Sequence, residues 1–316
     1  MKLHEDAEIF RELVEATAQS MALPQVYIEK DYWVTNALKN LSLSPHAAQA
    51  VFKGGTSLSK AHKLIHRFSE DIDLAVMAEG LGSSRSKKLL TDVEAATNAG
   101  LESIDDDIRV SKGSSYRRTV YRYPREADGE DFGQASPELL IEVNAFTRPE
   151  PHESLPMQTL IAEELLRMGR DELIAQFALE PFSLNVLSIR RTLTEKILGI
   201  VKDSYYDDPV AQLGLRIRHL YDICQILKID AHKAFIQSED FKTLCAACIE
   251  DEKQGFFKYA ECLEKPLADA PLFSKFSEWA PAIQKIYEGD FADLVYGDLP
   301  LMAEIEQAIA FIKTHA

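Results

Sequence analysis

The stretch from Ala50 to Met77 constrains this chain more than any other. A short apolar run, Ala50 to Phe52, reads as the end of a strand. Gly54 and Gly55 then permit a tight turn with positive φ, and Thr56, Ser57 and Ser59 are good caps for the helix that Leu58, Ala61 and Ile65 suggest. Ser69 to Met77 reads as a second strand in which Asp71 and Asp73 alternate with Ile72 and Leu74. A side-chain period of two puts both aspartates on one face, about 7 Å apart at Cα from the strand rise. Strand, glycine turn, helix and strand thus offer backbone N–H groups to a phosphate beside a carboxylate pair able to hold a divalent metal. This is the equipment for moving a nucleotidyl or phosphoryl group. Each half alone has an ordinary explanation, since Gly-Gly often precedes a helix and Asp-x-Asp is often a solvated strand face. Their union in one unit favours chemistry.

The later strand signals extend this unit. Leu139 to Phe146 is a strand with Leu139, Ile141, Val143 and Ala145 in one row and Leu140, Glu142 and Asn144 in the other. An acid inside such an apolar strand is costly without a partner, and a shared metal is the economical one. If the strand lies beside the aspartate strand, Glu142 becomes a third carboxylate of the site. Ile108 to Tyr123 reads as a hairpin turning at Lys112-Gly113, with Arg117, Arg118, Arg122 and Arg125 interleaved with Tyr116, Tyr121 and Tyr123. Either this is a solvated strand face, or Arg117, Arg118, Arg122 and Tyr121 contact an RNA acceptor through phosphate pairing and stacking.

At 316 residues the chain is long enough for two domains. The prolines between Thr147 and Pro156 suggest a boundary near Glu150, dividing an α/β domain with N-terminal helices (1–150) from a helical domain (151–316) with an acidic C-terminal extension. A net charge of −16 argues against a broad basic surface while leaving room for a local one. No apolar run has the length of a membrane span, so no membrane partner and a cytoplasmic location are expected. The four cysteines make no disulfide framework, and Cys245-Ala-Ala-Cys248 alone is a weak metal or redox signal. The Glu29-Lys-Asp-Tyr-Trp33 run reads as a helix packing Tyr32 or Trp33 inward with Glu29 and Lys30 exposed. Helices are expected over Ser188 to Asp203 and Ala211 to Lys228, where periodicity alone places Lys196, Arg218 and Asp222 on solvated faces.

Lys53-Gly-Gly-Thr-Ser-Leu-Ser-Lys60 followed by Arg67-Phe-Ser-Glu-Asp-Ile-Asp73 resembles the AbiEii/AbiGii-type nucleotidyltransferase toxins of bacterial toxin–antitoxin systems, the group that includes the MenT toxins. Thr194-Glu195-Lys196 and Arg218-His-Leu-Tyr-Asp222 are similar to that family's later helical motifs, so the resemblance runs from Glu29 to about Leu227. It implies an α+β, DNA polymerase β-like nucleotidyltransferase fold followed by a helical domain closing the site. It makes Gly55, Thr56 and Ser57 the triphosphate cradle, joined in nucleotide binding by Lys53, Gly54, Lys60, Arg67 and Ser69. It makes Asp71 and Asp73 ligands of Mg²⁺ or Mn²⁺, and turns Lys196 and Asp222 into site residues. The activity implied is transfer of NMP from an NTP to an RNA such as a tRNA 3′ end, in a toxin with a cognate antitoxin. The alternatives are transfer to a small molecule or protein hydroxyl, and a non-catalytic nucleotide- or partner-binding protein.

Overall fold

Alternation of apolar and polar residues produces one mixed eight-stranded sheet in the computed structural model, which describes residues 1–127, 132, 135–255 and 260–315. The expected loop over 126–136 lies partly outside the described residues. β1 (Ala50–Lys53) and β2 (Ile72–Val76) are antiparallel, with Lys53 opposite Asp73. β3 (Glu102–Ser103) and β4 (Ser111–Lys112) both pair antiparallel with β5 (Tyr116–Arg122), which runs antiparallel to β6 (Leu139–Asn144). The expected turn at Gly113 is present, its N–H donating to the Tyr116 carbonyl at 2.9 Å. β7 (His152–Met157) and β8 (Phe182–Leu187) complete the order β3-β5-β6-β2-β1-β8-β7. β6 lies parallel to β2, which makes the Glu142 strand the direct neighbour of the aspartate strand.

The first of two compact units comprises Met1–His62 and Phe68–Val186. It runs beyond the boundary expected near Glu150 because β7 and β8 belong to its sheet. Its helices are α1 (Ala7–Met21), α2 (Gln25–Ser42), α3 (Gly54–Lys60), α4 (Ser83–Thr97), α5 (Leu160–Arg167) and α6 (Asp171–Gln176). The Asp6 carboxylate caps α1 by accepting from the Ile9 N–H at 3.2 Å. The core gathers Phe10, Tyr32 and Trp33 from α1 and α2 with Phe52, Leu74, Ile141 and Val143 from the central strands.

The second unit comprises Lys63–Arg67 and the chain from Leu187 onward. It holds α7 (Ile189–Asp203), α8 (Pro209–Leu215), α9 (Ile217–Leu227), α10 (Asp230–Ile236), α11 (Glu239–Gln254), α12 (Pro271–Tyr287) and α13 (Met302–His315). The helix expected over Ala211 to Lys228 is two helices, interrupted at Arg216, whose Nε pairs with Asp203 at 2.6 Å. The 63–67 segment is seated among these helices. The His66 carbonyl accepts from the N–H groups of Tyr296 and Gly297, and Arg67 forms a bridge with Val295. No helix of the described residues is long and apolar enough to cross a membrane.

Candidate active site

Register places four chemical side chains in one row across the sheet. Lys53 lies opposite Asp73, Asp73 opposite Glu142, and Glu142 opposite Arg118. Ile72 and Leu74 are buried while Asp71, Asp73 and Glu142 are half-buried, as the alternation of the two strands requires. Asp71 immediately precedes β2, which starts at Ile72 and not at Ser69.

Gly54 begins α3 with φ +79°, and an added Cβ there would collide with the Asp73 carboxylate. The missing side chain therefore does two things: it permits the left-handed turn and it lets the carboxylate sit against the turn. Gly54→Ala is expected to cost about 1–3 kcal/mol in strain alone and to displace Asp73. Urea unfolding checks this, and an unchanged midpoint would remove the argument.

Glu142 is already engaged. Tyr116 donates its hydroxyl proton to Oε2 at 2.9 Å, and Arg118 donates Nε–H to Oε1 at 2.7 Å. Burial, reinforced by the Glu142 charge, pushes the Tyr116 hydroxyl well above its ordinary pKa and keeps it a donor. Among the described residues no three acidic, His or Cys side chains are gathered to hold a metal. Glu142, expected as a third carboxylate from strand logic, is turned to Tyr116 and Arg118 in this structure. Two half-buried carboxylates fit Mg²⁺, a hard ion commonly held by one or two carboxylates together with water and substrate phosphates.

The cradle residues are more internal than expected. Thr56 and Ser57 are buried; Thr56 Oγ1 and Ser69 Oγ share a 3.0 Å hydrogen bond, and the Ser57 hydroxyl donates to the Gly54 carbonyl at 2.9 Å. Lys60, expected at the nucleotide, is buried and pairs with Asp31. Lys53 and Gly55 are half-buried at the turn.

The largest departure is the Glu29 to Trp33 run. Glu29, Lys30 and Asp31 are all buried, although the reading of the helix as amphipathic exposes the first two. Glu29 accepts from the N–H groups of Glu126 and Ala127 at 2.6 and 3.0 Å. Lys30 pairs with Glu70 at 2.5 Å, and Asp31 with Lys60. Burial lowers the Lys30 pKa and raises that of Glu70, against their mutual attraction. Three consecutive charged residues before two aromatics on a helix with little charge segregation were the available signal.

In the second unit, Arg67 binds Asp222 through Nε and Nη2, both at 2.8 Å, and Lys196 Nζ reaches the same carboxylate at 2.8 Å. All three side chains are buried. Burial opposes ionisation of Asp222, but the charges of Arg67 and Lys196 outweigh it and hold the carboxyl far below its usual range. Arg67, expected at the nucleotide, is buried and paired with Asp222. Lys196 and Asp222 leave the solvated faces that periodicity suggested and form an internal ion triad. Burial, then Lys196 and Arg216, push His219 well below its ordinary pKa, so it is neutral at physiological pH.

The arginine-tyrosine hairpin is largely neutralised from within. Arg117 pairs with Glu94 on α4, and Tyr121 is buried, its hydroxyl donating to Glu94 at 2.9 Å. Tyr121 therefore has no face for a base, and Arg117 is committed. Arg118 and Arg122 remain accessible, Arg122 in an exposed 3.3 Å pair with Glu102. On α11 burial pushes the Cys245 thiol to about 12 and Cys248 higher still, so neither is a thiolate nucleophile.

Residues 36–310 match the family described as nucleotidyl transferase AbiEii toxin, type IV toxin–antitoxin system. Among solved structures the chain is similar to the nucleotidyltransferase toxin MenT4 of Mycobacterium tuberculosis H37Rv, with TM-score 0.45 and 13% identity over 95% of this chain and 89% of that one. It is also similar to JHP933 of Helicobacter pylori, with TM-score 0.33 and 18% identity over 84% of this chain and 94% of that one. No curated protein matches the sequence.

Proposed function

The chain belongs to the AbiEii nucleotidyltransferase toxin family, and from that premise we propose that it transfers NMP from an NTP to an RNA acceptor such as a tRNA 3′ end, using Mg²⁺ held by Asp71 and Asp73. Membership makes the chain a nucleotidyltransferase of a type IV toxin–antitoxin system, with an NTP as substrate and an antitoxin as partner. The observation that carries the finer reading is the row Lys53, Asp73, Glu142 and Arg118 across neighbouring strands beside the Gly54 turn.

In the proposed reaction the backbone N–H groups around Gly55 and Thr56 bind the β and γ phosphates. Ser57 contributes backbone, since its hydroxyl is turned to the Gly54 carbonyl. Asp71 and Asp73 would hold Mg²⁺, which would supply charge neutralisation at the triphosphate and a lowered pKa for the acceptor hydroxyl. The acceptor oxygen bonds to the α phosphorus, the bond from that phosphorus to the bridging oxygen breaks, and pyrophosphate leaves. Glu142 takes the hydroxyl proton in this reading, with Arg118 and Tyr116 fixing its carboxylate. Lys196 and Asp222, which the family pattern makes site residues, are proposed to act as one ion-paired unit.

An exposed ion pair contributes only about 0–1 kcal/mol, so Arg122 can exchange Glu102 for an RNA phosphate at little cost. Incubation with each labelled NTP, Mg²⁺ and total cellular RNA and protein tests the acceptor. Label is expected in RNA and absent when the metal is chelated; label in protein alone would replace the RNA reading. Arg122→Gln is expected to lower RNA labelling severalfold while shifting stability by no more than about 0.5 kcal/mol.

A further inference from the structure

One turn of α2 reaches both arms of the glycine-turn unit. Lys30 Nζ donates to Glu70 Oε2 and to the Ser136 carbonyl, and the other Glu70 oxygen accepts from the Ser136 N–H at 2.9 Å. Glu70 is therefore held on both oxygens, and it is the residue directly before Asp71. Asp31 holds Lys60 at Oδ1, while its Oδ2 accepts from the Leu160 N–H at 2.8 Å. Lys60 is the last residue of α3, the helix that opens at Gly54. Successive helical residues diverge by about 100°, which is how neighbours on α2 serve two different segments.

We propose that Lys30 and Asp31 are positioning residues for nucleotidyl transfer, Lys30 setting Asp71 through Glu70 and Asp31 setting the glycine turn through Lys60. The inference rests on the reading of Asp71 as a metal ligand. Stability alone does not call for these pairs, because apolar residues of similar volume usually serve a buried position as well as an ion pair or better. An ion pair with its remaining lone pairs satisfied by the Ser136 and Leu160 backbone fixes direction, which an apolar contact does not.

Lys30→Met combined with Glu70→Leu removes the first pair without stranding a charge. The full-length variant and wild type are compared in three measurements: the thermal midpoint, Mn²⁺ binding followed by the loss of its free EPR signal, and kcat and KM for the NTP. The expected result is a midpoint within about 4 °C of wild type, together with a loss of about 10- to 100-fold in Mn²⁺ affinity and in kcat, the scale seen for residues that orient metal ligands. KM for the NTP stays near its wild-type value. Wild-type Mn²⁺ binding and kcat in the double variant would overturn the proposal. So would failure of that variant to fold, because the pair would then be holding the fold and not the direction of Asp71. A wild-type protein that transfers no nucleotide defeats the proposed function instead, and the Mn²⁺ titration still decides the role of Lys30.

Discussion

Asp73→Asn is expected to lower nucleotide transfer by about 10²–10³-fold, the scale on which loss of one preorganised electrostatic group slows a reaction. Asparagine has the shape of aspartate and fits against Gly54 as the carboxylate does, so the fold should be retained. What it lacks is the charge that holds a hard cation. Asp71→Asn should behave alike. Both variants are to be assayed with labelled NTP over a range of Mg²⁺ concentrations; transfer at wild-type rates in either would refute the metal assignment for that residue.

The second large effect is on stability. Asp222→Asn removes the carboxylate that the buried Arg67 guanidinium and Lys196 ammonium share. Removing one partner from a buried ion pair costs about 3–5 kcal/mol, and here the lost carboxylate serves two buried cations. A fall in the thermal midpoint on the order of 10 °C is expected. The pH dependence follows from the same geometry. Because the folded pKa of Asp222 is depressed, its contribution is present above the unfolded carboxylate value of about 3.9 and is lost as pH falls through the folded value. The variant should therefore lose less stability than wild type on acidification. A wild-type midpoint in Asp222→Asn would show that the triad is not holding the second unit together.

The central strands were legible because both are buried on one face, and burial on one face writes a period of two into the sequence. Glu142 betrayed its neighbour in the same way: an acid within Leu139 to Val143 needed a partner, and the adjacent strand is the one bearing Asp73. The partner its oxygens actually take, Arg118 with Tyr116, sits on the strand at the other side, and a row of arginines there looked like a solvated face or a nucleic-acid contact. Charge on its own does not reveal whether a side chain is paired. Glu29, Lys30 and Asp31 show this most clearly. Their partners lie 97, 40 and 29 positions away in the chain, distances at which local periodicity carries no information. The unit boundary was missed for a related reason. β7 contains Pro156 and lies at the end of the sheet, where proline is tolerated but weakens the strand signal.

The seating of Lys63 to Arg67 among C-terminal helices has a consequence in time. Arg67 meets its carboxylate 155 positions later in the chain. At ribosomal rates of about 5–20 residues per second, that delay is roughly 8–30 s. During it Arg67 lacks the Asp222 carboxylate that it pairs with in the folded second unit. Seating of the Lys63–Arg67 segment in the second unit is thereby timed by synthesis of α9, and a prematurely released fragment ending before α9 would carry Arg67 without its Asp222 carboxylate.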